Sequence, residues 1–138
     1  PGLFKVSIEG GTPAPLTNKT SMYPAISPDG SMIATGYFED PGASKTAIYS
    51  FQGGEPLRIL DFSSFYISWA PDGRSLTYID GHHASNIVSQ QMTGDSSIKE
   101  LTHFKDGVVF AFDWSRDGKL ACSRKVITSD AVMLTDLR

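Results

Sequence analysis

One turn recurs along this chain and sets its architecture. Ser27-Pro28-Asp29-Gly30 returns as Ala70-Pro71-Asp72-Gly73 and, with Arg116 in the proline position, as Ser115-Arg116-Asp117-Gly118. The three aspartates lie 43 and 45 positions apart. In such a turn proline presets φ, aspartate bonds the backbone two residues on, and glycine supplies φ > 0. Recurrence at this period describes a chain assembled from like units, not one built around a single site.

The segments between the turns read as short strands. Leu3 to Ile8 alternates with the period of two expected of a half-exposed strand, Gly10-Gly11 turns the chain, and 14–17 follows as an edge strand flanked by prolines. Residues 18–22 read as a polar connection. A full unit then runs through strands at 23–27, 32–38, 46–51 and 56–61, with a loop at 39–45 and a turn at Gly53-Gly54. The next unit repeats it with strands at 65–70, 75–79, 87–92 and 98–104 and a loop at 80–85. A third begins with 108–114 and 120–126 and continues at 131–137. Equivalent positions match. Three residues before the turn aspartate stand Ile26, Trp69 and Trp114, and two before the strand-three glycine stand Ile8, Phe51 and Met92, with Leu137 in the same place. No helical periodicity appears, so the chain is expected to be all-β.

Four strands in 40–45 residues is the size of one propeller blade, a four-stranded antiparallel meander. The expected organisation is the end of one blade at 1–17, whole blades at 23–61 and 65–104, and an incomplete blade at 108–138. The Tyr23-Pro24-Ala25-Ile26-Ser27-Pro28-Asp29-Gly30 stretch, with Gly53-Gly54-Glu55-Pro56 and Leu101-Thr102, resembles the WD40-like repeats of the TolB type over essentially the whole chain. Such repeats also occur in tricorn-like peptidases and in the propeller parts of bacterial receptor-like Ser/Thr kinases, whose C-terminus the last ten residues resemble. A closed ring needs at least four blades, about 160 residues at 40 per blade. With thirteen expected strands the chain falls short of that. A partial propeller completed by missing chain or by homo-oligomerisation through its open blade edges is therefore expected.

Composition narrows the function classes. At 138 residues, 40% hydrophobic and 20% charged, the chain is an ordinary globular domain, and its net charge of −3 offers no basic footprint for nucleic acid. Its longest apolar run, Val108 to Phe112, is far below the roughly 18 residues that span a bilayer, so no membrane insertion by this segment is expected. The single cysteine, Cys122, excludes an internal disulfide and reads as a small buried hydrophobe. No nucleophile elbow, phosphate loop or zincin motif is present, so no catalysis and no cofactor are expected of this chain. The turn aspartates sit one per blade, too far apart to share an ion. Asp80, His82 and His83 form the one ligand-like cluster, but without zinc spacing they read as a solvated loop and no metal is expected.

The meander puts the Pro-Asp-Gly turns on one side of the blades, and the variable loops and inner-strand starts on the other. Recognition tends to lie in variable loops on a rigid scaffold. That face carries Tyr23, Glu39, Asp40, Lys45, Phe65, Tyr66, Asp80, His82, His83, Lys105, Asp106 and Asp130. Within it Tyr23, Asp40, Phe65, Tyr66, His82, His83 and Asp130 are the candidate binding residues. Tyr23, Phe65 and Tyr66 either anchor a ligand or plug the channel mouth. The expected function is a non-catalytic scaffold for a protein, peptide or small ligand. The resemblance implies the extracytoplasmic sensor portion of a bacterial signalling protein, or a periplasmic TolB-like partner protein. The alternative is a substrate-gating accessory of a prolyl oligopeptidase- or tricorn-like serine peptidase.

Overall fold

The computed structural model describes residues 2–39, 42–80 and 85–126. Within them twelve strands form four antiparallel sheets, in chain order. β1 (Phe4–Lys5) pairs with β2 (Ala14–Pro15). β3 (Ser21–Ile26), β4 (Met32–Glu39), β5 (Ala43–Ser50) and β6 (Arg58–Leu60) form a four-stranded meander. So do β7 (Ile67–Trp69), β8 (Ser75–Asp80), β9 (Asn86–Gln91) and β10 (Ile98–Glu100). β11 (Val108–Trp114) and β12 (Leu120–Lys125) form the last pair. The chain is an all-β partial propeller of antiparallel blades. No described helix is long and apolar enough to cross a membrane.

The recurring turns behave as their residues require. Gly30, Gly73 and Gly118 all take φ between 68° and 83°, and each amide donates to the carbonyl three residues back, at Ser27, Ala70 and Ser115. The Asp29 carboxylate accepts from the Ser27 hydroxyl at 2.6 Å and the Ser31 amide at 3.0 Å, and Asp72 accepts from the Arg74 amide at 2.9 Å. These donors, the Ser27 hydroxyl first, hold the Asp29 carboxyl down to about 2. The Lys119 ammonium and then the Ser115 hydroxyl lower that of Asp117. The aspartates serve their own turns, and no group of three or more metal-ligating side chains occurs among the described residues.

Each sheet packs on the next through the alternating faces of its strands. Ala34, Ile48 and Leu60 of the first four-stranded sheet meet Ile67, Trp69, Leu76, Tyr78 and Val88 of the second, forming the largest core. Phe62 stacks on Tyr78 at 3.8 Å. The second sheet meets the last pair through Ile87, Val109 and Phe112, with Trp114 and Leu120 against them. At the other end Leu3 and Leu16 pack on Ile33 and Phe51. Polar groups cross the same seams. The Trp69 indole donates to the Ala25 carbonyl at 3.0 Å, and the Trp114 indole to the Thr77 hydroxyl at 3.2 Å. Arg58 on β6 donates to the Met92 carbonyl and the Ser96 hydroxyl, joining the outer strand of one blade to a turn of its neighbour.

Several local expectations are corrected. Residues 21 and 22 belong to β3, since Ser21 and Met22 pair with Tyr37 and Gly36. The loop expected over 39–45 is shorter, because β4 and β5 stay in register out to Glu39 and Ala43. Strand 98–104 ends at Glu100; after one more backbone bond, from the Leu101 amide to the Ile87 carbonyl, side chains replace the ladder. The Asn86 amide oxygen accepts from the Phe104 amide, and the Thr102 hydroxyl takes the Ile87 amide. Cys122 is exposed, because β12 has β11 as its one strand partner among the described residues. The strand expected at 131–137 lies outside the described residues.

Gly107 opens β11 at φ +76, and a Cβ there would sit 2.5 Å from the Lys125 carbonyl oxygen. Gly107→Ala is expected to cost about 2 kcal/mol or more in denaturant unfolding. Gly10→Ala, at φ +89 in open space, should cost about 1 kcal/mol. Equal losses would contradict a role for the close approach.

Candidate functional site

Two β-bulges shape the loop face. The register of β3 on β4 shifts between Met22 and Ala25, and that of β11 on β12 shifts between Val109 and Ala111. A bulge leaves a residue out of the ladder and re-aims its side chain. Tyr23 lies in the first shift with φ 60, rare for a residue with a Cβ, and Phe110 lies in the second. In the intervening blade the same region is held by a side chain. The Ser64 hydroxyl accepts from the Tyr66 amide and bonds the Ile79 carbonyl, so Phe65 and Tyr66 precede β7 instead of entering it.

The result is an aromatic ledge across three consecutive blades. Tyr23 and Phe65 meet edge-to-face at 5.7 Å, and Tyr66 tilts against the buried Phe112 at 6.0 Å. Phe65 is 71% exposed, Phe110 54%, Tyr23 50% and Tyr66 43%. Two open grooves run beside them. One, of about 340 Å³, is bounded by Ser63, Ser64, Phe65, Tyr66, Ile79, Val109 and Phe110, with no charged side chain. The other, of about 620 Å³, passes Tyr66, Ser68, Phe112 and Cys122, and Asp113 is its one charged residue. Such a surface suits apolar and aromatic side chains with a few backbone hydrogen bonds, and lacks the cations a phosphate needs.

Of the candidate binding residues, Tyr23, Phe65 and Tyr66 therefore stand together. Asp40, His82, His83 and Asp130 lie outside the described residues. On the same face Lys45 is part of β5 and pairs with Asp61 at 3.4 Å, Asp80 closes β8, and Asp106 pairs with Arg124. The Arg124 guanidinium also lies 4.4 Å from the Phe104 ring centre. Sequence reasoning missed Phe110. The repeat itself held the signal, because Met22, Phe65 and Phe110 all stand seven residues before a turn aspartate.

No family model matches the chain, and no curated protein matches it. Solved structures do. A chain assigned as a TolB of Agrobacterium tumefaciens superposes with a TM-score of 0.65 at 24% identity, over 93% of this chain and 55% of that one. TolB from Acinetobacter baumannii superposes with a TM-score of 0.61 at 22% identity, over 86% of this chain and 29% of that one.

The left-handed backbone at Tyr23 predicts an inverted ranking. At an ordinary strand position alanine is more stable than glycine, but here Tyr23→Gly should exceed Tyr23→Ala by about 1 kcal/mol in thermal or denaturant unfolding. The usual order would show that the strain at this bulge is absent in solution.

The chain spans about half, or less, of the length of the solved TolB chains it matches, and over that span it has the TolB-type propeller fold.

Proposed function

We propose that this chain is a non-catalytic propeller scaffold that holds an extended protein or peptide segment across the aromatic ledge. We further propose that it is the interaction portion of a larger bacterial signalling protein, as the resemblance to kinase-linked propellers implies. The observation that carries the reading is the exposure of Phe65, Tyr66 and Phe110 along two grooves that hold between them a single charged side chain, with the exposed Tyr23 ring edge-to-face against Phe65. Large aromatics that are rigid and partly desolvated are the residue types on which interfaces concentrate their binding energy. Backbone-anchored rings also lose little conformational freedom on binding. The grooves are shallow and open, which fits a chain segment laid across several blades better than an enclosed small molecule. Bacterial TolB chains as structural neighbours support the same reading at the level of the scaffold.

The test is selection of displayed linear peptides against the chain, followed by affinity measurement on variants. Phe65→Ala and Tyr66→Ala should each weaken a selected peptide at least tenfold, about 1.4 kcal/mol. Ile98→Ala, on the outer strand of the same blade, should leave its affinity unchanged. Selected peptides that bind the aromatic variants as tightly as the unmodified chain would place recognition elsewhere and leave the ledge as channel packing.

A further inference from the structure

The turn face is uniform at its first two turns and departs from the pattern at the third. The residue before the turn aspartate is Pro28, Pro71 and then Arg116, and the residue four before it is Ala25, Ser68 and then Asp113. The third unit thus places one cation and one anion where the first two are uncharged. Neither charge is spent within the described structure. The Asp117 carboxylate beside Arg116 is taken by Lys119 at 2.6 Å, and no ion pair among the described residues includes Arg116 or Asp113. Asp113 Oδ1 accepts from the Trp114 amide at 2.8 Å, and Oδ2 has no partner among the described residues.

Both residues line one cavity of about 450 Å³, at the turn-side end of the seam between β7 and β11. Its apolar walls are Trp69, Trp114, Pro28 and Pro71, so the turns of three consecutive units bound it. The volume falls within the roughly 300–1,000 Å³ of small-molecule sites. The walls are also preorganised. Each indole is held by its own hydrogen bond, Trp69 to the Ala25 carbonyl and Trp114 to the Thr77 hydroxyl, and a proline ring has little freedom to lose.

We propose that this cavity binds a small zwitterion with an apolar side chain, an α-amino acid or a short peptide. The Arg116 guanidinium takes the carboxylate through two parallel N–H bonds, and the Asp113 carboxylate takes the ammonium. The ligand's side chain lies against the indoles and prolines. Asp113 and Arg116 are three residues apart, at most about 11 Å between Cα atoms, a span that their two side chains and one such ligand can bridge. Ligands of other charge fit less well. A phosphate would meet the Asp113 carboxylate, and a simple acid or amine would leave one of the two charges unanswered. The site lies at the opposite end of the innermost strands from the aromatic ledge, although Asp113 borders the larger groove as well.

Trp69 and Trp114 are the chain's two tryptophans, so tryptophan fluorescence reads the cavity directly. Leucine or leucyl-leucine should give a saturable change below about 10 mM, and the tighter of the two tells a free amino acid from a peptide. The N-acetyl derivative of that probe lacks the ammonium and its amide lacks the carboxylate, and each should bind at least tenfold more weakly. Arg116→Pro and Asp113→Ser install the residues of the preceding repeat. Each should keep the melting temperature of the unmodified chain and weaken the probe at least tenfold. No saturable change with either probe would overturn the proposal. So would derivatives that bind as tightly as their parent, or an Arg116→Pro chain that melts normally and binds the probe undiminished.

Discussion

The seam between the two whole blades holds the rest of the structure in place. Trp69 stands at its centre. The ring is buried among Ala34, Ile48 and Leu60 of the preceding blade, and the indole N–H donates to the Ala25 carbonyl on that blade's innermost strand. Burial of an aromatic ring supplies the attraction, and the single directed hydrogen bond sets where one inner strand lies against the next. Trp114 repeats the device one blade later, with Thr77 as acceptor. Each blade is thus placed by its predecessor, and the interface, not the isolated meander, is the unit of stability, as expected of a quasi-one-dimensional repeat.

The ledge depends on this placement. The two indoles fix the turn-proximal ends of the innermost strands against one another, which sets where their opposite ends emerge. There the two bulges and the Ser64 turn release Tyr23, Phe110 and the Phe65-Tyr66 pair from the ladder. The turn face, by contrast, spends its polar groups internally. The Asp29 and Asp72 carboxylates are taken by amides and hydroxyls of their own turns, which leaves that side repetitive and chemically quiet. Separation of a closed, self-satisfied face from an open aromatic one is what gives the scaffold a direction.

The residues that encode local geometry were readable in the sequence. Pro-Asp-Gly specified the inner hairpins, and the place of Trp69 and Trp114 before them specified the seam. The face carrying Tyr23, Phe65 and Tyr66 followed from the alternation of turns in a meander. What depends on neighbours was not readable. Ser21 and Met22 look polar and irregular, yet they pair because β4 runs on beside them. Cys122 has the composition of a buried site, but no described strand covers the outer edge of β12. The bulge at Phe110 is a register mismatch between two strands, a property of the pair that neither segment displays alone.

The claim that the blades stand or fall through the shared seam is tested most directly by native-state hydrogen exchange on Trp69→Ala. Truncating a buried aromatic ring costs about 3–5 kcal/mol. If the seam is the unit of stability, the amides of β4 and β5 lose protection together with those of β8 and β9, although the substitution lies in only one of the two sheets. Loss of protection confined to β7–β10, with β4 and β5 exchanging as in the unmodified chain, would contradict the account and show that the blades are independent.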